Sequence, residues 1–319
     1  MKVAILLASY NGSLYIKKQI DSIIAQSYKD WFLYISDDCS SDDTLKILDE
    51  YEKCYPGKII VVSKNIKYGS AKKNFLHLFS IINSDLYFFC DQDDVWTEDH
   101  ISKMIDYYSM LDCTTKENPV LIHSDLYIVN SNLEIINESF FNYSFMPKHI
   151  NKKNYYLLEN NITGGVMVVN DSLKQIIFSH VNDISNLINL IPMHDQFFGL
   201  ISSLFGNVFF IDEKLEFYRQ HQNNAIGAKK TLSFNNVISK IFQINDSWIK
   251  TMENQSQLLF ENFGDLLSAE DKLCYKEMSK FSENKKVRQL YLICKYRLYK
   301  VNKLRKCLQI KTILLRKEK

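Results

Sequence analysis

Residues 86 to 100 read LYFFCDQDDVWTEDH, in which an apolar run, Leu86 to Cys90, leads straight into Asp91, Asp93 and Asp94. Three carboxylates this close cannot all ionise cheaply without a counter-charge. A divalent cation removes the conflict. Mg²⁺ or Mn²⁺ takes one or two protein carboxylates, and phosphate oxygens can complete its shell. The competing explanation is a solvated loop in which Asp94 or Thr97 caps the next helix.

Four other stretches carry chemistry-bearing residues. YISDDCSSDDT sets Asp37 and Asp38 at the end of an apolar run. A carboxylate there can accept from a nucleobase imide or a ribose hydroxyl, or simply close an Asx-turn. HDQFFGL puts His194 and Asp195 at the start of an apolar helix, where Asp195 is either a cap or a general base. NNITGGVMVVN holds Gly164 and Gly165, which allow either a close backbone approach to a ligand or a tight turn before a strand. YRQHQNNAIG concentrates Arg219 and His221, a phosphate partner and a metal ligand by residue type.

The elements that must position these groups follow from the apolar pattern. VAILLAS, FLYIS, IIVVS, LYFFC and VLIHS read as short strands rich in Val, Ile, Phe and Tyr. Helical periodicity lies between them, as in SLYIKKQIDSIIAQS, SDDTLKILDEYEK, SAKKNFLHLFSII and TEDHISKMIDYYSML. Strand–helix alternation predicts an α/β fold with a parallel, doubly wound sheet covered on both faces. Ligands of such sheets bind beyond the carboxyl ends of the strands, where Ser9-Tyr10-Asn11, Asp37-Asp38 and Asp91 to Asp94 stand. After about residue 230 the texture becomes helical, with the boundary expected near Ala228 to Leu232. That divides the chain into 1–230 and a basic helical region, 231–319.

The chain of 319 residues has a net charge of only +2, but its ends differ. Residues 285 to 319 hold thirteen Lys/Arg against one acid, +12, so the remainder carries −10. Mixed with Leu, Ile and Tyr, that basic tail reads either as an amphipathic element for an anionic membrane surface or as helices packed on the acidic body. An acidic body argues against nucleic-acid binding. Seven cysteines without a CxxC pair read as reduced thiols. The opening MKVAILLASYNG reads as a first strand and not a leader, because its apolar run is short. No stretch reaches the roughly 18 apolar residues of a spanning helix. No GxGxxG or GKS/T occurs among the nine glycines, which disfavours an NAD-type or P-loop site.

LLASYNG, ISDDCSSDDT, CDQDDVW, NITGGVMVVN, MHDQFFG and YRQHQNNAIG, in that order over residues 1 to 230, resemble the family 2 glycosyltransferases of GT-A fold. Within that family the chain is most similar to bacterial rhamnosyltransferases of cell-wall or capsular polysaccharide synthesis. The resemblance implies a mostly parallel Rossmann-like sheet and an inverting transfer of a sugar from a dTDP- or UDP-linked donor to a saccharide or lipid-linked acceptor. It implies Mg²⁺ or Mn²⁺ on Asp93 and Asp91, with His221 near the metal or diphosphate and Arg219 beside it. Asp38 would contact the nucleobase beside Ser9, Tyr10 and Asn11. Asn65, Gly69 and Asn74 would lie near the nucleotide or sugar, with Gly164 and Gly165 also at the donor. Asp195 would be the catalytic base. The expected location is cytoplasmic, peripheral on the inner face of the cell membrane through residues 285 to 319.

Two departures stand out. Cys39 occupies a place where many members have Gly or Asn, and the QxxRW motif of processive members is absent, which favours single additions. Two other functions are weighed. FFCDQDDVW resembles the first motif of haloacid-dehalogenase-type phosphatases, with Asp91 as nucleophile and Asp93 as acid/base. That leaves Asp37-Asp38 and HDQ without a role. A non-catalytic nucleotide-sugar-binding module is the third reading.

Overall fold

The computed structural model describes residues 1–64, 66–150, 152–220 and 246–316. Asn65, His221 and the expected boundary at 228–232 lie outside the described residues.

The strands are β1 (Val3–Ser9), β2 (Trp31–Asp37), β3 (Ile59–Ser63), β4 (Leu86–Asp91), β5 (Val95–Trp96), β6 (Val120–Val129), β7 (Ile135–Asn137), β8 (Met167–Asn170) and β9 (Asn207–Arg219). They form one mixed sheet in the order β3-β2-β1-β4-β8-β6-β9-β5, with β7 paired to β6. Strands β3, β2, β1 and β4 are mutually parallel, and β6 and β9 are parallel to each other. The helices that matter to the site are α1 (Ile16–Ala25), α2 (Thr44–Cys54), α3 (Ala71–Ile81), α4 (His100–Met110), α5 (Cys113–Glu117), α6 (Phe140–Ser144), α7 (Asp171–His180), α8 (Ile184–Leu190) and α9 (His194–Phe205).

The near-continuous apolar runs of β1 and β4 are those of strands buried on both faces. Alternation divides each between two cores. Val3, Ile5 and Leu7 pack with Phe88, Cys90 and the α1 residues Ile16, Ile20 and Ile23 on one side. Ala4, Leu6 and Ala8 pack with Tyr87, Phe89 and the α3 and α9 residues Phe75, Phe79, Phe197 and Phe198 on the other. The helices Ser247–Asn262, Ala269–Met278, Lys286–Lys295 and Lys303–Leu315 join this second core through Met252, Leu259, Tyr275, Ile293 and Ile313.

The sheet departs from the expected parallel arrangement in one respect that bears on the site. Strand β8 is inserted antiparallel between β4 and β6. An antiparallel strand brings its beginning, and not its end, to the carboxyl edge of its neighbour. The turn Gly164–Val166 that precedes β8 therefore sits at the end of β4.

The basic tail is docked on the body. Glu159 accepts from Arg305 at 3.1 Å and from the Val301 amide at 2.7 Å, and Glu277 pairs with Lys295 at 3.1 Å and with Arg288. Among the described residues, no helix is long and apolar enough to cross a membrane. All seven cysteines are free.

Cys39 follows the β2 edge with φ +60°, in the left-handed region. That conformation costs an ordinary L-residue roughly 1–2 kcal/mol, and Asn and Gly tolerate it far better. Cys39→Asn is expected to stabilise the protein by about 0.5–1 kcal/mol. A higher urea midpoint at unchanged m-value would register the gain.

Candidate active site

The register places Ser9 beside Asp37 and Ala8 beside Asp91, so the acidic groups meet along one edge. At the β1–β2 end most of them hold the edge together. Asp37 is fully buried and accepts from Ser9 Oγ (2.8 Å), Ser40 N (2.7 Å) and Ser40 Oγ (2.6 Å). Asn11, at φ +46°, accepts from Ser41 N at 2.8 Å and donates its own amide to Ser40 Oγ at 2.8 Å. Asp38 accepts from the amides of Tyr68 and Gly69, the latter at 2.9 Å to both oxygens. Gly69 has φ +79°, which a side chain would strain. Asn74 is buried and donates to the Ser36 carbonyl at 2.7 Å, tying α3 to β2. Of the residues expected to meet a nucleotide here, Tyr10, Asn11 and Gly69 are exposed, Tyr10 by half.

The acidic loop after β4 is clamped at every residue. Gln92 exchanges two 2.9 Å hydrogen bonds with the Tyr10 backbone. Arg219 Nε donates to the Asp93 carbonyl at 2.7 Å, and the Arg219 amide donates to Asp94 Oδ1 at 2.7 Å. Val95 and Trp96 then pair with Phe217 and Glu216 of β9. Trp96 Nε1 donates to Glu216 Oε2 and to the Gly165 carbonyl, both at 3.1 Å, and its ring stacks on His100 at 4.0 Å. Asp94 and Glu216 are both fully buried side by side; burial and the Glu216 charge push Asp94 up, and burial and the Asp91 charge push Glu216 up against a hydrogen bond from Asp94. Such a pair shares a proton at neutral pH instead of carrying two charges.

This anatomy divides the expected residues. Arg219 reaches the acidic loop from β9. Its guanidinium is buried, bonds the carbonyls of Asp93 and Ser131 and lies 4.5 Å over the Tyr15 ring, so it braces the loop. The Gly pair also divides. A Cβ at Gly165 would lie 2.4 Å from Glu216 Oε2, so this glycine is needed for packing. A Cβ at Gly164 would lie 3.3 Å from His194 Nε2 and 3.9 Å from Asp91 Oδ2, so this glycine opens onto the acidic edge.

Asp91, Gly164 and the His194-Asp195 pair thus adjoin, although they come from three separate segments. Asp195, in the first turn of α9, is buried. It accepts from the Gln196 amide at 2.7 Å and from Asn160 Nδ2 at 3.1 Å. Burial raises its pKa to about 6 against those two hydrogen bonds. His194 packs on Phe75 (4.6 Å) and Phe89 (5.4 Å), and burial, with Lys72 nearby, lowers it to about 3. It is therefore neutral, and Asp195 is the group able to take a proton. Lys72 donates to the carbonyls of Ile188 and Ile191 at 2.6 and 2.7 Å, anchoring the segment that leads into α9.

Asp91 has a pKa raised to about 7, by burial first and then by Asp93 and Asp195. Acids crowd it, so a cation is the complement its surroundings call for. Among the described residues no cluster of three or more His, Cys, Asp or Glu could hold a metal by itself. Two carboxylates completed by phosphate oxygens and water form a donor set suited to Mg²⁺ or Mn²⁺, and Asp91 with Asp93 fits that set.

Asn160, Glu216 and Lys72 escaped the sequence reading. Asn160 lies within the quoted NNITGG stretch, but nothing local marks it as a partner of a residue 35 positions later. Asn160→Ala removes a donor that favours the ionised Asp195. It is expected to raise the acid limb of the pH–rate profile above pH 6 and to lower turnover at pH 6 about tenfold. A limb that stays at the wild-type position would remove Asn160 from the site.

Residues 4–115 match the family model described as Glycosyl transferase family 2. The chain is 29% identical over 254 residues to the dTDP-rhamnosyl transferase RfbG of Shigella flexneri, covering 76% of this chain and 81% of that protein. It is 30% identical over 112 residues to the putative teichuronic acid biosynthesis glycosyltransferase TuaG of Bacillus subtilis (strain 168), 35% of this chain and 43% of that one. Among solved structures, S. aureus TarS 1-349 in complex with UDP-GlcNAc superposes with a TM-score of 0.56 at 14% identity, covering 93% of this chain and 80% of that chain. The mostly parallel sheet with its helical C-terminal region is a GT-A fold.

Proposed function

This chain carries a family 2 glycosyltransferase domain, and from that premise we propose that it is an inverting, metal-dependent enzyme of bacterial surface-polysaccharide synthesis. It moves a sugar, rhamnose in the favoured reading, from a dTDP- or UDP-linked donor to a saccharide or lipid-linked saccharide. The observation that carries this reading is the meeting of Asp195 with Asp91 at the end of β4, close enough for the two charges to interact. A phosphatase built on Asp91 and Asp93 has no use for Asp195. The similarity to a dTDP-rhamnosyl transferase supports the choice of donor.

The donor lies along the β1–β2–β4 edge, with its base toward Asp38 and Tyr10 and its diphosphate toward Asp93 and Asp91. When bound, Mg²⁺ or Mn²⁺ supplies positive charge to the leaving diphosphate. Asp93 and Asp91 would hold that ion, and the Arg219 brace, the Gln92–Tyr10 bonds and the Asp94–Glu216 pair keep their loop in place. Asp195, kept oriented by Asn160, takes the proton of the acceptor hydroxyl as it attacks the anomeric carbon from the face opposite the leaving group. His194, the residue before the base, is held by its packing on Phe89. His221 is retained as a metal-side residue by its motif alone, and Asn65 likewise at the donor.

The deciding experiment is a donor screen on the full chain with Mn²⁺ or Mg²⁺. Nucleotide release from dTDP-rhamnose in preference to UDP-glucose or UDP-GlcNAc is expected. Hydrolysis of simple phosphomonoesters without nucleotide release would favour the phosphatase.

For the location we propose peripheral attachment. Val287 (81% exposed), Tyr291, Leu314 and Leu315 stand open on the basic helices, as a membrane-facing surface would. Flotation of the full chain with anionic liposomes, and loss of flotation with neutral ones, is expected. Equal behaviour with both would end the membrane claim.

A further inference from the structure

A small cavity of about 90 Å³ is lined by His123, Lys148, His149, Ile150, Tyr156 and Phe210, with Val208 at its wall. It is wired to the base. Gln196, the residue after Asp195, donates to the Tyr156 carbonyl at 2.7 Å. Tyr156 donates its hydroxyl to Asn161 at 3.0 Å, and Asn161 follows the Asn160 that holds Asp195. Tyr156 thus joins the cavity lining to the residues that flank and hold Asp195.

Its lining is unusual for this core. His123, on β6, is 1% exposed, and its Nδ1 has no hydrogen-bond partner. A buried polar atom without a partner is costly unless something supplies one. His149 is near enough to disfavour a positive charge on His123. Lys148 meets Asp212 at 2.6 Å, an ion pair whose acid is 66% exposed and easily exchanged. The loop carrying Lys148 and His149 is anchored by Asp125, buried on β6, which accepts from Ser139 Oγ (2.5 Å) and the Phe140 amide (3.0 Å) at the start of α6. Phe210 contributes an apolar wall, with its ring 5.3 Å from His123.

A cavity of this size has room for a phosphate or carboxylate group. We propose that this cavity is an acceptor subsite that takes an anionic oxygen group, phosphate or carboxylate, borne by the acceptor saccharide. His123 and His149 act as hydrogen-bond partners and Lys148 as the counter-charge. The proposal rests on the transferase reading for its role in the reaction, but the site itself can be tested without turnover.

The test uses the full chain with ¹⁵N-labelled histidine. Inorganic phosphate and, separately, methyl glucuronide are titrated while the imidazole resonances of His123 and His149 are followed. Saturable shifts with at least one probe are expected, and which probe binds more tightly identifies the phosphate or carboxylate source. Lys148→Gln is expected to weaken that binding about tenfold, the loss of one charge-assisted contact. His123→Phe keeps the packing and should do the same. Lys148→Gln lies at the surface and tests the idea even if the buried variant fails to fold. Donor nucleotide affinity should be unchanged in both. No saturable shift with either probe, or equal affinity in Lys148→Gln, would overturn the subsite. A failed donor screen with intact anion binding would instead overturn the transferase reading and leave the site.

Discussion

Asp195→Asn is expected to lower the rate of sugar transfer by about 10²–10⁴-fold while leaving donor nucleotide affinity near that of the wild type. The argument starts from the environment of the carboxylate. Burial raises Asp195 to about 6, and the Gln196 amide and Asn160 keep it from rising further. A base with that value is ionised at neutral pH yet basic enough to accept a proton. The acid limb of kcat/KM should therefore fall tenfold per unit below pH about 6, and the Asn variant should lose that limb. Stability should move the other way. The folded-state value lies above the unfolded one, near 3.9, so Asp195 contributes most below the unfolded pKa and loses that contribution as pH rises through about 6. At pH 8 the wild type carries the buried charge and the variant does not. The Tm of Asp195→Asn should equal or exceed that of the wild type there, and the gap should close toward pH 4. A variant with near-normal transfer would remove Asp195 as the base. A variant that is both inactive and less stable would point to a packing role.

The separation of what was legible in the sequence follows the range of the interactions involved. Strands β1 to β4 were visible because a strand buried on both faces reads as an apolar run. The placing of Asp38, Asp91 and Asp93 at one edge then followed from parallel topology. Gly164 and Gly165 were legible as a turn before a strand, but not as two glycines with different partners, His194 and Glu216. Periodicity also does not reveal that β8 runs antiparallel between β4 and β6, and that insertion is what carries Gly164 to Asp91. Arg219 was legible as a motif residue, but its bonds to carbonyls 126 and 88 positions away, which brace the acidic loop, are not readable from sequence. Glu216 gave no signal at all, since its partner Asp94 is fixed only by the β5–β9 pairing.

Asp93→Ala is the second large effect. Metal-dependent nucleotide binding is expected to weaken at least about tenfold, 1.4 kcal/mol, with metal-independent binding little changed. Asp91 supplies the reason and an internal check. Its value of about 7 is raised by burial, Asp93 and Asp195, so without a cation the folded protein binds a proton that the unfolded chain releases near pH 4. Its stabilising contribution is therefore full below the unfolded value and is lost as pH rises through about 7. A divalent cation meets little competition from protons above that value and strong competition below it. Mn²⁺ should raise the wild-type Tm more at pH 8 than at pH 5, and nucleotide should enlarge the pH 8 shift by adding phosphate oxygens to the shell. In Asp93→Ala the Mn²⁺ shift should shrink at pH 8. Asp91 should also titrate lower, because one of the carboxylates that raises it has gone. A purely structural role for Asp93 would lower the Tm at every pH and leave the Mn²⁺ increment unchanged. The increment, and not the Tm itself, therefore decides whether the acidic loop holds a cation.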